Sequence, residues 1–481
     1  GGVDFNFPAG TMINAGNYLV VAKDSATLAA KYPAITIIGD FSRTLSNGDE
    51  LIRLVDENRN PADEVHYYDD APWPMFADGG GSTLELRDPD ADNSIAETWA
   101  ASDQLATSPW RSYSFTNTAV STHSPIRPHG SGPDGVWHEL VLGMLSAGEI
   151  LLDDVSVVEA PMGAAIEFMQ NGSFESDAVG SIPDKWRIRG NHQHSEVIVD
   201  PHDAGNKVLR LFANGSTTTV HNDAETTYAN GQTANIGSSY AISFKAKWVN
   251  GSRRLHARLH HSVVAKDTIL DASAMSGTPG AVNSTFATNI GPTYTEFIHS
   301  PAVPAVSQAV TLSVKAADPD GVSSMTARYS VNEGAWTSIG MTDQGNGLYT
   351  ASIPGQSASS IVQFYIDGQD TLGAVSTYPP TGVDSRALFK VEDGLAANNG
   401  LHNFRIIMTT SDTDWLHQNI NGMSNDRLGG TVVYNEREIF YCVGVRLRGS
   451  SAGRFRTTLG HNVRFQADRR FRGVHSGVAF D

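Results

Sequence analysis

Short runs of alternating apolar and polar residues, separated by Gly, Asn, Asp and Pro, recur along the whole chain. A period of two puts successive side chains on opposite faces of a strand, so each run predicts a β-strand with one buried face. The first runs are Tyr18-Leu19-Val20-Val21, Glu50-Leu51-Ile52-Arg53-Leu54-Val55 after the Asn47-Gly48 turn, and Leu84-Glu85-Leu86. They continue through 137–143, 148–159, 208–211 and 240–248, then 310–316, 326–331, 348–353 and 361–367. Near the C-terminus come 404–408, a hairpin of 431–435 with 438–446, and a further strand from Asn462. Two stretches predict helices instead. Asp24–Tyr32 has Asp24 or Ser25 as its N-cap, and Ser411–Leu416 has Ser411 or Asp412.

Length changes this picture from one sheet to several. At 481 residues the chain exceeds a single ordinary core and predicts three or four domains. The formal charge is 34 − 52 = −18, which argues against nucleic acid as a partner. Apolar content of 40% fits packed domains, and no run approaches the ~20 apolar residues of a membrane span. The single cysteine, Cys442, excludes an internal disulfide framework and reads as a buried, inert thiol within Ile439-Phe440-Tyr441-Cys442-Val443. Acidic, lysine-poor modules rich in Asn and Thr read as an exported bacterial protein at the cell surface or outside it.

Residues 1–104 resemble the lamin-tail domain, an Ig-like sandwich. The resemblance is carried by Phe7-Pro8-Ala9-Gly10-Thr11, Tyr18-Leu19-Val20-Val21, Leu45-Ser46-Asn47-Gly48-Asp49 and Ser82-Thr83-Leu84-Glu85-Leu86 before Trp99. The first strand of such a domain is missing, so the chain is expected to begin inside it. In 105–290, the segments 137–143 and 148–159 resemble the closing strands of a jelly-roll carbohydrate-binding module. Asn171-Gly172-Ser173-Phe174-Glu175, Trp186, 208–211 and 240–248 resemble the opening and middle strands of the same module. Two arrangements follow: one circularly permuted jelly roll, or two partial copies side by side. The first leaves fewer unpaired edges, and pairing of 148–159 with 240–248 distinguishes them. Thr278–Ser284 reads as a linker, and 293–391 as an Ig or fibronectin type III-like sandwich.

The C-terminal piece, 400–481, resembles the entry strands of CotH-family atypical kinases through Gly444–Ser451 and Asn462–Gly473. The expected fold class is therefore mainly β, with tandem β-sandwiches followed by an incomplete α+β CotH-like domain. The resemblance implies a nucleotide-side turn at Gly449, Ser450 and Ser451, with Arg446, Arg448 and Arg464 adding positive charge beside it. ATP and Mg²⁺ belong to the complete family fold. The acidic residues that hold Mg²⁺ there have no counterpart before Asp481, and Thr457–His461 lacks the lysine that family members often carry. No catalytic residue is assigned, because phosphoryl transfer depends on metal-borne charge stabilisation.

The jelly-roll resemblance implies a structural calcium near Asn171, Glu175, Asp153 and Asp154, all oxygen ligands of the kind Ca²⁺ takes. Sugar faces stack on exposed aromatic rings, which makes Trp186, Tyr228, Tyr240 and Trp248 candidates. Tyr240, Phe244 and Trp248 share a strand parity with Ile242 and Ala246, which assigns them to the core and leaves Trp186 and Tyr228. His192, His194, His256, His260 and His261 read as a polar outer face rather than a metal set, since Arg258 lies among them. Asp318-Pro319-Asp320-Gly321 reads as a turn. The function expected of these residues is binding without catalysis, to an extracellular glycan or surface partner, while spacing domains. Its alternatives are the accessory region of a secreted CotH-like kinase and a purely structural stalk.

Overall fold

The computed structural model describes residues 2–120, 139–217, 222–259, 264–273, 277–396, 401–455 and 459–480. It is mainly β. Residues 2–101 form three two-stranded ladders: Val20–Ala22 with Ile37–Gly39 in parallel, and Asp49–Val55 with Pro61–Tyr68 and Leu84–Leu86 with Trp99–Ala101 in antiparallel. The helix Ser25–Lys31 is capped by Asp24, whose carboxylate accepts the Thr27 N–H at 2.9 Å. The second helix, Thr410–His417, starts earlier than its sequence indicates. Thr409, extended and buried, caps it by accepting the Asp412 N–H at 3.2 Å.

Residues 111–269 form one sandwich of two antiparallel sheets. The larger has the order Glu196–Asp200, Asp203–Ala213, Gly148–Glu159, Ser239–Gly251 and Arg111–Thr118, with Ile166–Glu167 added to Gly148–Glu159. The smaller runs Trp186–Ile188, Ala224–Thr227, Glu139–Met144, Arg254–Leu259, Val264–Ile269. Gly148–Glu159 pairs with Ser239–Gly251 from Gly148↔Gly251 to Glu159↔Tyr240, so both segments lie in one sheet. Leu140, Leu142 and Met144 face Ile150, Leu152, Leu209, Leu211, Ile242 and Trp248 across a closed apolar interior. Gly251 has φ +62°, and a Cβ there would lie 2.6 Å from Gly148 Cα. Only glycine fits this contact, which also admits Gly80 of the preceding unit.

The Ig-like module consists of Thr293–Ser300, Val310–Ala317, Leu348–Ile353 and Thr342–Asp343 against a sheet of Thr337–Gly340, Val322–Val331, Ile361–Asp370, Val375–Tyr378 and Ala387–Lys390. The C-terminal sheet is an antiparallel series: Phe404–Ile407, Leu428–Tyr434, Glu438–Leu447, His461–Arg464, Gly477–Phe480.

The units interlock. Ile407, Val433, Ile439 and Tyr441 of the C-terminal sheet belong to the same buried cluster as Val310, Leu312, Phe364 and Phe389 of the Ig-like module. The Tyr441 hydroxyl accepts the His299 backbone N–H at 2.9 Å and donates to His299 Nδ1 at 2.6 Å. His299 Nε2–H donates to the Ala302 carbonyl at 3.1 Å, which fixes the tautomer. The stretch expected as a linker is pinned to the N-terminal unit: Ser284 Oγ and the Thr285 N–H both donate to the buried Glu85 carboxylate, at 2.7 and 3.1 Å. The first and last units also touch. The Ala467 N–H donates to the Ala71 carbonyl at 2.7 Å, Arg470 pairs with Asp49 at 2.8 Å, and Arg464 pairs with Asp70.

Candidate ligand-binding face and neighbouring sites

The smaller jelly-roll sheet turns an unusual set of side chains away from the sandwich core. Alternation sends Leu140 and Leu142 inward and Glu139 and Val141 outward, and the register lines up Arg187, Glu225, Val141 and Arg258 across four strands. Arg187 bonds three neighbours: Nε to Glu225 at 2.8 Å, Nη1 to Thr227 at 2.9 Å and Nη2 to Glu139 at 2.7 Å. Arg189 Nη2 meets the same Glu225 oxygen at 2.8 Å, and Arg258 Nη2 lies 3.7 Å from Asp223. Glu139, Asp223 and Glu225 are buried although they point away from the core.

This network is incompletely satisfied. Among the described residues, Glu139 Oε2, both Asp223 carboxylate oxygens, Arg189 Nε and Arg258 Nε are buried without a hydrogen-bond partner. Burial, with the Glu225 charge nearby, pushes the Asp223 and Glu139 carboxyls up to about 8 against the opposing pull of the neighbouring arginines. Both are thereby held toward the protonated form, which can donate as well as accept. Five unmatched polar atoms on one face form a mixed array of donors and acceptors, each costing about 1–3 kcal/mol while unmet.

The pH dependence follows from these groups. Folded Asp223 and Glu139 bind protons more tightly than the unfolded chain does, so their contribution is complete below about pH 4 and is lost as pH rises to about 8. His192 acts in the opposite sense. Its ring is buried and neutral, with Nδ1–H donating to Asn191 at 2.6 Å and Nε2 accepting the Met144 N–H at 3.0 Å. Burial pulls it down to about 3, so its contribution is present above about pH 6.5 and lost as pH falls toward 3. Thermal melting of Asp223→Asn should therefore cross the wild-type profile: no more stable near pH 6, and more stable near pH 8.5. Parallel profiles would reject a protonated Asp223.

The aromatic assignments change. Trp186 and Tyr228 are buried, at 5% and 1% exposure, and present no face to a sugar. Trp186 lies one position out of phase with Arg187, so it points into the sandwich, where Nε1 donates to the Asn171 carbonyl at 2.7 Å and the ring meets Phe174. The Tyr228 hydroxyl donates to the Glu139 carbonyl at 2.7 Å, beside Phe168. Tyr240 and Trp248 are core residues, as their parity indicates. His192 does not join an outer face, because it sits in the turn Gly190–His192 rather than a strand. His194 is exposed, His256 pairs with Asp267 at 2.6 Å, and His260 and His261 lie outside the described residues.

The four calcium candidates do not converge. Asp154 turns to Lys245 at 2.6 Å, and Asp153 accepts the Asp154 N–H at 2.7 Å. The Asn171 amide donates to Asp177 at 2.8 Å and to the Asp184 carbonyl at 2.9 Å. Glu175 accepts the Lys207 N–H at 3.2 Å. The Lys207 ammonium already fills the carbonyl cradle, donating to Glu175 O at 2.9 Å and Asp177 O at 2.6 Å. A fixed ammonium there repels a divalent ion, so these residues do not fit Ca²⁺. Chelation with EDTA should leave the melting temperature unchanged, whereas Lys207→Met should lower it; a fall with EDTA that Ca²⁺ reverses would contradict this. Asp318, Asp320 and Asp370 are the one carboxylate group gathered closely enough for an ion among the described residues. Asp370 is committed to the Asn289 amide at 2.7 Å and to the Gly373 and Ala374 N–H groups, which makes it a turn anchor.

At the C-terminal sheet, Gly449 has φ +105° and its carbonyl accepts Arg454 Nε at 2.8 Å. Ser450 precedes the short helix Ser451–Arg454 without capping it through its side chain. Arg446 bonds the Asn425 side chain at 3.2 Å, and Arg464 pairs with Asp70. Arg427, which the sequence did not single out, stands between Arg446 and Arg464 in its electrostatic surroundings. Arg448, Gly449 and Ser450 do not line the cavity that Arg427 and Arg464 share, and the Ser451 side chain lies outside what the structure describes. Cys442 sits at a β-bulge with φ 50°, and burial raises its thiol to about 12.

No family model and no curated protein matches the sequence. Among solved structures, the Br derivative of BhCBM56 matches 22% of this chain and 96% of its own, with 15% identity and a TM-score of 0.14. An uncharacterized protein from Listeria monocytogenes EGD-e, solved in complex with α-D-glucose, β-D-glucose, magnesium and calcium, matches 38% of this chain at 12% identity and TM-score 0.17. The chain spans 15% of that protein's length. A DUF4785 family protein from Legionella pneumophila matches 72% of this chain and 76% of its own, with 7% identity and a TM-score of 0.16. No helix among the described residues is long and apolar enough to cross a membrane.

Proposed function

We propose that the chain is a non-catalytic binding region of an exported bacterial surface protein, and that the outer face of the smaller jelly-roll sheet takes a neutral glycan. One observation carries this reading: five buried polar atoms on that face, donors and acceptors together, have no hydrogen-bond partner among the described residues. Sugar hydroxyls each donate and accept, so a run of them satisfies a mixed array that neither a simple cation nor a simple anion can. Recognition here is by hydrogen bonding, since Trp186 and Tyr228 are committed to the core. The wider organisation belongs to the same proposal and rests on sequence motifs: a lamin-tail-like unit, a circularly permuted jelly roll, an Ig-like module, and a CotH-like start whose ATP and Mg²⁺ chemistry requires further residues.

A glycan array probed with the full chain tests the reading. Binding to neutral glycans that Arg258→Ala abolishes supports it, because Arg258 contributes an unmatched donor and only a 3.7 Å ion pair. Absence of binding to any glycan rejects it and leaves a structural role.

A further inference from the structure

A second polar site lies where three units meet. A cavity of about 270 Å³ is lined by Asp70 and Met75 of the N-terminal unit, Asn214 of the jelly roll, and Arg427, Arg464 and Gln466 of the C-terminal sheet. Its charge is unbalanced. Arg464 pairs with Asp70, whereas among the described residues Arg427 makes one side-chain hydrogen bond, to Asn462 Oδ1 at 2.7 Å, and no ion pair. Asp426, next in sequence, does not line the cavity and accepts hydrogen bonds from the Gln193 and Asn214 amides of the jelly roll. Behind Arg427, Arg446 and Arg454 also lack a carboxylate partner among the described residues; Arg446 bonds Asn425, and Arg454 bonds the Gly449 and Ser424 carbonyls.

Two arginines sharing one acidic side chain on a cavity wall would be ordinary in a basic protein. This chain carries 52 acidic residues against 34 basic ones, yet among the described residues Asp70 is the one carboxylate on that wall. Burial first, and then the charges of Arg446 and Arg464, hold the Arg427 guanidinium down to about 10, with Asp70 pulling the other way. Guanidinium groups offer planar pairs of N–H donors that match oxyanions, and the Gln466 amide lies on the same wall.

We propose that this junction cavity binds a small oxyanion, either a free inorganic anion or the acidic group of a sugar, with Arg427 as its central ligand and Arg464 at its mouth. The site takes side chains from three units, so it exists only when they are docked. It stands independently of the neutral-glycan face.

The test uses the full chain, with inorganic phosphate and sodium glucuronate each compared with chloride at matched ionic strength. Phosphate, glucuronate or both should raise the melting temperature, and calorimetry should show saturable binding. A phosphate response alone assigns the free anion; a glucuronate response assigns an acidic sugar. Arg427→Gln should melt higher than wild type without the anion, because repulsion is relieved, and should lose the anion response. Arg464→Gln, at an exposed position, provides a second variant and should weaken binding by about tenfold. Equal melting in all three salts, or an undiminished response in both variants, would overturn the proposal.

Discussion

Replacing Glu225 with glutamine is expected to destabilise the jelly roll by about 3–5 kcal/mol, the range for removing one partner from a buried ionic network. Glu225 is 2% exposed and is the only carboxylate that both Arg187 and Arg189 contact. Glutamine preserves shape and one acceptor but leaves two guanidinium charges facing Glu139, a carboxyl already held toward its neutral form. Urea titration followed by tryptophan fluorescence is suited to the measurement, since Trp186 and Trp248 are both buried in this sandwich. The comparison with Asp223→Asn at neutral pH is decisive. That substitution replaces a group already protonated and should cost far less. Equal losses, or a Glu225→Gln loss below about 1 kcal/mol, would mean the network is screened like a surface ion pair.

The second large effect concerns Tyr441. Tyr441→Ala should cost about 3–5 kcal/mol, because it leaves a cavity beside Phe297, Phe364 and His299. Tyr441→Phe should cost about 2–4 kcal/mol, since it strands the His299 N–H and Nδ1 together. More telling is cooperativity: calorimetry should show the Ig-like module and C-terminal sheet melting together in wild type and separately in Tyr441→Ala. Separate transitions in the wild type would show that the shared cluster does not couple them.

Much of the fold is legible from local pattern. Two-residue alternation marks the strands around 148–159, 240–248, 310–316 and 361–367, and Asp24 announces its helix. The same alternation, applied to Trp186-Arg187-Ile188-Arg189, places the tryptophan inward and both arginines outward, so the buried Trp186 was readable from its neighbours. His192 was not, because a strand parity cannot describe a residue in a turn. The Arg187–Glu225–Glu139 network and the Arg427 cavity depend on contacts between residues 38 to 394 positions apart, from Arg187–Glu225 to Asp70–Arg464. No local spacing announces such contacts. Lys207 illustrates the same limit: an unremarkable lysine in a strand supplies the cation that the surrounding acidic motif suggested should be a metal.

The contact between Ala71 and Ala467, flanked by Asp70–Arg464 and Asp49–Arg470, joins the two ends of the module series. Mechanically, this makes the chain a closed loop rather than a string of beads. Its reach does not grow with the number of modules, and tension applied at the termini falls first on that clasp. Four units joined tail to tail would make a long tether; here the first is clasped to the last.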